Sequence, residues 1–232
     1  MGRDVIIACD FASKEACLSF LDRFTGRKPF VKIGMELFYA EGPDIVREIK
    51  ARGHKIFLDL KLHDIPNTVM KAMASLSALD VDMCNLHAAG ARAMMEAALK
   101  GLTRPDGTRP LLIAVTQLTS TDDTALREEL YIEKPMKDVV LGYARNARDA
   151  GLDGVVCSPL EAGTVKEGCG EGFFTVTPGV RFADGDVGDQ KRIATPARAK
   201  ELGSDYIVVG RPITQAEDPV AAYERCIKEF VD

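Results

Sequence analysis

No apolar stretch in this sequence approaches the ~20 residues of a membrane span, which excludes an integral helical membrane protein. No two of its six cysteines (Cys9, Cys17, Cys84, Cys157, Cys169 and Cys226) form a C-x-x-C, and Cys9, Cys84 and Cys157 lie in apolar, strand-like runs. Disulfides and a cysteine zinc site are therefore not expected; buried reduced thiols and a reducing cytoplasm are. The three histidines, His54, His63 and His87, form no zinc-binding pair, and no G-x-S-x-G marks a serine nucleophile. Met1-Gly2-Arg3-Asp4 leads straight into a strand without the pattern of a secretory leader, and Ile6 stands where a myristoylation motif has Ser or Thr. Basic excess is absent too: 30 Lys and Arg against 35 Asp and Glu leave a net charge of −5, so no nucleic-acid partner is expected. No linker, low-complexity tract or block of like charge interrupts the chain, which points to one domain over 1–232.

The composition is 46% hydrophobic and 28% charged, an ordinary globular mix able to bury a sizeable core. Eight short, nearly continuous apolar runs read as strands: Val5–Asp10, Phe30–Gly34, Lys55–Leu60, Met83–His87, Leu111–Thr116, Gly154–Ser158, Phe173–Thr177 and Tyr206–Gly210. Between them, helical spacing is expected over 14–24 (capped by Ser13), 36–52 (stopped by Gly53), 66–79, 91–102, 122–130 and 136–150, with a closing helix over 216–230. Strands without polar alternation are buried on both faces, as in a parallel sheet. Eight of them, mostly alternating with helices, predict an α/β fold, a single-domain (β/α)8 TIM barrel, which usually needs about 250 residues and fits this length with short loops.

Polar groups recur where the strands end: Asp10, Lys32, Asp59 with Lys61, His87, Thr116, Ser158, Arg181 and Arg211. In a barrel these ends converge on one face, where the βα-loops build the active site. For His87, Thr116 and Ser158, polarity simply resumes at a strand end. Asp10, Lys32, Asp59 and Lys61 are different, because they sit within or at the last residue of apolar runs. Phe57 to Thr68 is the densest such stretch. Period-two alternation puts Asp59 and Lys61 on one face, and Asp64 follows where the chain must turn.

Pro178-Gly179-Val180-Arg181 and Gly210-Arg211-Pro212 follow strands seven and eight, the habitual phosphate site of such barrels. Glycine permits close backbone approach and arginine offers a planar donor fork. Gly168-Cys169-Gly170-Glu171-Gly172 precedes a strand rather than opening a helix, and reads as a turn. The polar, glycine-rich segment 182–192 has the composition of an exposed loop or of a lid. Asp10, Asp59 and Asp64 would suit Mg²⁺, but Lys32 and Lys61 in the same ring of strand ends would repel it. An alternating Lys-Asp-Lys-Asp array neutralises itself without metal. Opposite unit charges 4 Å apart attract by about 4 kcal/mol at an effective dielectric near 20. A lysine flanked by carboxylates favours its charged form. It is then a proton donor and a counter-charge for a developing carbanion, not a Schiff-base nucleophile.

Asp59-Leu60-Lys61-Leu62-His63-Asp64-Ile65-Pro66-Asn67-Thr68 resembles the D-x-K-x-x-D-I-P-N-T signature of the orotidine 5′-monophosphate decarboxylase family. Asp10, Lys32, the Leu118-Thr119-Ser120 loop, Pro178 to Phe182, Gln190 and Gly210 to Thr214 match the same family in the same order, so the resemblance covers essentially the whole chain. It implies a barrel homodimer that converts orotidine 5′-monophosphate to uridine 5′-monophosphate and CO₂ in pyrimidine synthesis, with no metal or organic cofactor. In that reading Lys61 protonates C6, Asp59 sits near the departing carboxylate, and Lys32 completes the array and contacts the ribose hydroxyl region. Asp64 and Thr68 reach into the neighbouring subunit's site. Asp10 binds a ribose hydroxyl and Thr119 the pyrimidine edge, while Arg181, Gln190, Gly210 and Arg211 hold the phosphate. The alternative is a Mg²⁺-dependent sugar-phosphate decarboxylase or synthase of the same barrel superfamily, which shares D-x-K-x-x-D but not the I-P-N-T continuation.

Overall fold

A computed structural model describes residues 3–183 and 193–232 of the chain. Eight parallel strands close into a barrel in sequence order: β1 (Asp4–Ala8), β2 (Phe30–Gly34), β3 (Ile56–Leu62), β4 (Met83–His87), β5 (Leu111–Val115), β6 (Gly154–Val156), β7 (Phe174–Thr177) and β8 (Tyr206–Val209), with β8 pairing back onto β1. The helices are α1 (Lys14–Leu21), α2 (Met35–Glu41), α3 (Pro43–Ala51), α4 (Pro66–Ser77), α5 (Ala91–Leu102), α6 (Asp123–Glu128), α7 (Met136–Asp149), α8 (Ala162–Cys169), α9 (Pro196–Glu201), α10 (Arg211–Thr214) and α11 (Pro219–Phe230). Among the described residues no helix is long and apolar enough to cross a membrane.

The apolar strands divide their side chains between two cores, as strand alternation demands. Val5 and Ile7 of β1, and Ile207 and Val209 of β8, point outward into the layer under the helices. Ile6, Ala8, Phe30, Phe57, Met83, Ile113, Val176, Tyr206 and Val208 fill the barrel interior. Tyr206 meets Phe30 and Phe174 edge-on there, at centroid distances of 6.3 and 6.0 Å. Lys32, Asp59 and Asn85 stand two residues beyond Phe30, Phe57 and Met83 on three adjacent strands, so the same alternation turns them into the barrel, one layer nearer its carboxyl-terminal mouth.

The amino-terminal rim is held by a motif that repeats on alternate strands. Asp82, Asp153 and Asp205 each directly precede β4, β6 and β8. Their carboxylates accept from the backbone N–H of Ile56, Leu112 and Thr175 on the strands before, at 2.8, 2.7 and 2.8 Å. Each also pairs with a base: Asp82 with Lys50 at 3.0 Å, Asp205 with Lys166 at 2.6 Å, and Asp153 with the Arg109 guanidinium through both carboxylate oxygens.

Two local differences from the sequence expectation have plain causes. The helix predicted over 36–52 is two helices, α2 and α3. Gly42 between them adopts φ 67°, which favours glycine, and Pro43 brings no N–H to continue the first helix. The closing helix starts at Pro219 rather than 216, because Asp218 caps it at Val220 and Ala221, and the short α10 occupies the turn after β8. Ser13 caps α1 through the N–H of Ala16, as expected. None of the six cysteines forms a disulfide, and burial pushes the thiols of Cys84 and Cys226 up to about 12.

Replacing Asp153 by alanine strips Arg109 of its ion-pair partner and the Leu112 N–H of its acceptor together. Asp153→Ala is expected to lower the free energy of unfolding in urea by about 3 kcal/mol. Asp44→Ala, which breaks an exposed pair with Arg47, should change it far less.

Candidate active site

Asp59 is the buried centre of the site, 7% exposed. Its two oxygens are divided between partners. Oδ1 accepts from Lys61 Nζ at 2.7 Å and from Asn85 Nδ2 at 2.7 Å. Oδ2 faces Lys32 Nζ at 3.3 Å. Lys32 also donates to Asp10 Oδ1 at 2.9 Å, so Asp10, Lys32, Asp59 and Lys61 form a continuous row of alternating sign.

Lys32 and Asp59 set each other's protonation. Burial pushes the Asp59 carboxyl up, but Lys32, then Lys61, and the hydrogen bonds from Lys61 and Asn85 outweigh it and hold it below the usual carboxylate range. Burial pulls the Lys32 ammonium down, but Asp59 and Asp10 outweigh it and hold it above its ordinary value. Burial, then His63 and Lys61, pulls the His87 imidazole below its ordinary value, and its ring lies 5.6 Å from that of His63.

Asp59 and Lys61 do face each other, but not across a regular strand. Leu58 pairs with Cys84 and Leu62 with Leu86, so β3 advances four residues while β4 advances two. Lys61 sits in this bulge with φ 52°, a conformation rare for a residue with a side chain. Its N–H, lost to the ladder, donates to Asn85 Oδ1 at 2.8 Å. Asn85 was missed in the sequence. The signal that would have found it is the one that marked Asp59, a polar side chain at an inward position of an apolar strand. Gly34 was missed as well. A methyl group there would meet Asp10 Oδ1 at 3.0 Å and Lys32 Nζ at 3.1 Å, so any side chain would press on the pair.

Lys32, Asp59, Lys61 and Thr119 line one cavity of about 230 Å³, floored by Phe57, Val115, Val156 and Val208. Thr119 is buried in the loop after β5. Arg181 is buried after β7, where its Nη1 donates to the Val180 carbonyl at 2.8 Å. Gly210 follows β8 and is partly buried; Arg211 opens α10 and is exposed. Gln190 lies outside the described residues.

Asp64 and Thr68 are not drawn into the row within this chain. Both are exposed, and the Asp64 carboxylate accepts from the N–H of Ile65 at 2.6 Å. Thr116 and Ser158 have structural roles. Thr116 donates to the Val156 carbonyl at 2.8 Å, and Ser158 and Glu161 form a capping box. Among the described residues no group of three or more His, Cys, Asp or Glu side chains is arranged to hold a metal ion.

The sign of the coupling between Lys32 and Asp59 can be read from stability against pH. The depressed Asp59 contributes stability above its unfolded value and loses it as pH falls. The raised Lys32 contributes below its unfolded value and loses it as pH rises through its folded one. Lys32→Met should therefore lower stability by about 2 kcal/mol near neutral pH. The difference from wild type should narrow as acid neutralises Asp59. Urea unfolding at a series of pH values measures it.

The chain is similar to known proteins over nearly its whole length. The model of the orotidine 5′-phosphate decarboxylase / HUMPS family matches residues 3–226. Orotidine 5′-phosphate decarboxylases of Bacillus cereus (strain Q1) and Bacillus mycoides (strain KBAB4) are each 57% identical over 227 residues, covering 97% of this chain and 95% of theirs. The crystal structure of orotidine 5′-phosphate decarboxylase from Lactobacillus acidophilus superimposes with a TM-score of 0.88 at 45% identity, over 99% of this chain and 100% of that one. An uncharacterized conserved protein from Geobacillus kaustophilus gives 0.87 at 50% identity, over 97% and 99%. With the match running from the first strand to the last helix, this chain belongs to the orotidine 5′-phosphate decarboxylase / HUMPS family.

Proposed function

We propose that this protein decarboxylates orotidine 5′-monophosphate to uridine 5′-monophosphate and CO₂, the step that completes uridine monophosphate synthesis, without a metal or organic cofactor. The observation that carries the reading is the row Lys32–Asp59–Lys61 on the wall of a cavity with an apolar floor. The relatives named above favour it over a Mg²⁺-dependent sugar-phosphate enzyme.

The substrate's C6 carboxylate is placed beside Asp59. The bond from C6 to the carboxyl carbon breaks, CO₂ leaves, and the electron pair stays on C6. The Lys61 ammonium stabilises that charge as it develops and then gives C6 its proton, forming the C6–H bond of the product. The neutral amine left behind recovers a proton from solvent. Positive charge already in place costs no reorganisation at the moment of reaction. Repulsion between Asp59 and the substrate carboxylate ends when CO₂ departs. Lys32 holds Asp59 ionised and contacts the ribose hydroxyl region, Asp10 binds a ribose hydroxyl, and Thr119 reads the pyrimidine edge. Arg181, Gln190, Gly210 and Arg211 grip the phosphate, whose binding energy, remote from C6, is realised in the transition state.

The active unit in this reading is a homodimer in the cytoplasm. Ile65 and Leu118, large and exposed, stand beside Asp64 and Thr119 on the loops that follow β3 and β5. A second copy covering them would receive Asp64 and Thr68 into its own site and complete the Lys-Asp-Lys-Asp alternation.

Purified protein treated with EDTA should still consume orotidine 5′-monophosphate, followed by ultraviolet absorbance; loss on chelation with recovery in Mg²⁺ would favour the sugar-phosphate reading. Lys61→Ala should lower kcat by at least about 100-fold and leave binding of uridine 5′-monophosphate measurable, whereas near-normal turnover would sink the proton-donor role. Mixing inactive Lys61→Ala with inactive Asp64→Ala should restore part of the activity through hybrid sites. No recovery, with hybrids verified by mass spectrometry, would count against a shared site.

A further inference from the structure

Asn85 touches both halves of the catalytic pair, yet it is not among the side chains that line the cavity. It is 1% exposed, in the middle of β4. Its two polar ends are both used. Nδ2 donates to Asp59 Oδ1, and Oδ1 accepts the N–H of Lys61. The orientation is forced, because a carboxylate only accepts and a backbone N–H only donates.

The second bond matters because of where Lys61 lies. The register of β3 on β4 shifts between Leu58 and Leu62, so the ladder runs Leu58 to Cys84 and then Leu62 to Leu86. Asn85 falls between those two partners, and its side chain supplies the acceptor that Lys61 lacks. The first bond fixes the carboxylate oxygen that also receives the Lys61 ammonium at 2.7 Å. One amide thus holds the lysine at its backbone and, through Asp59, at its tip. Asparagine combines this reach with one donor end and one acceptor end. Aspartate lacks the donor, leucine lacks both, and glutamine is a methylene longer.

We propose that Asn85 is a positioning residue for the decarboxylation. It stabilises the bulge that carries Lys61 and sets the direction of the Asp59 carboxylate, and so places the ammonium that protonates C6. The inference rests on the activity proposed above and adds to it a residue that never meets the substrate.

The test compares steady-state kinetics of the wild type, Asn85→Ala and Asn85→Asp. Asn85→Ala should lose about 100-fold in kcat, since a displacement near 1 Å at a reacting group has that effect. KM and the affinity for uridine 5′-monophosphate should stay close to wild type, because Asn85 itself is not part of the cavity wall. Asn85→Asp keeps an acceptor for the Lys61 N–H but sets a second carboxylate against Asp59. Two such groups share a proton, so one titrates well above the usual range. Its kcat relative to wild type should rise as pH is lowered from about 8 to about 5, where the introduced carboxyl can donate to Asp59. The charged and titratable groups around the position are Asp59 and Lys61 on β3, Lys32 on β2 with Asp10 beyond it, and His87 on β4 with His63.

Asn85→Ala with kcat within about threefold of wild type, and only its melting temperature lowered, overturns the positioning role. Where Asn85→Ala does not fold, a pH profile of Asn85→Asp parallel to that of the wild type overturns it. A wild type inert towards orotidine 5′-monophosphate overturns the proposed activity instead. Asn85 is then judged by a crystal structure of Asn85→Ala. Lys61 Nζ displaced from Asp59 supports the placement, and Lys61 Nζ still within about 3 Å of it overturns the placement.

Discussion

A carboxylate nearly sealed from water has to be compensated, and the compensation of Asp59 organises the functional end of this barrel. Three donors converge on two oxygens: Lys32, Lys61 and Asn85. An unpaired buried carboxylate would take up a proton, and the row of alternating charge would collapse. The neighbouring features follow from that requirement. β3 bulges so that Lys61 can turn back on Asp59, and Gly34 keeps clear the space in which Lys32 bridges Asp59 and Asp10.

The two ends of the barrel solve the same electrostatic problem differently. At the amino-terminal rim, Asp82, Asp153 and Asp205 are each tied to a backbone N–H of the preceding strand and to one base. Each such unit is self-contained, bonding a strand start to its neighbour. At the carboxyl-terminal mouth the charges are bonded mainly to one another, and they line a cavity. A row whose members depend on one another can respond as a whole to charge appearing beside it, which suits a reaction that passes through a carbanion.

Much of the site was legible in order along the chain. Asp10, Lys32, Asp59 and Lys61 declared themselves as charges inside apolar runs, and the barrel itself was legible from eight such runs. The hydrophobic alternation that points Phe57 into the barrel points Asp59 there as well. Asn85 carried the same signal at an inward position of β4, but a neutral amide draws less attention than a charge. The break at Gly42-Pro43 was equally local, a glycine free to take a positive φ before a proline, yet the apolar spacing on either side ran through it.

The sequence by itself determined which side chains face the barrel interior and at which end, because strand alternation is a local, period-two property of the backbone. It could not determine how they meet. The contact between Asn85 and Asp59 joins residues 26 apart in the chain, and it depends on the register in which β3 lies on β4. Alternation put Asp59 and Lys61 on one face, but their 2.7 Å contact comes from a bulge with Lys61 in a left-handed conformation. Cross-strand register, and strain tolerated at one residue, are settled only when the whole barrel closes. Closing it makes a single shared partner out of one buried carboxylate.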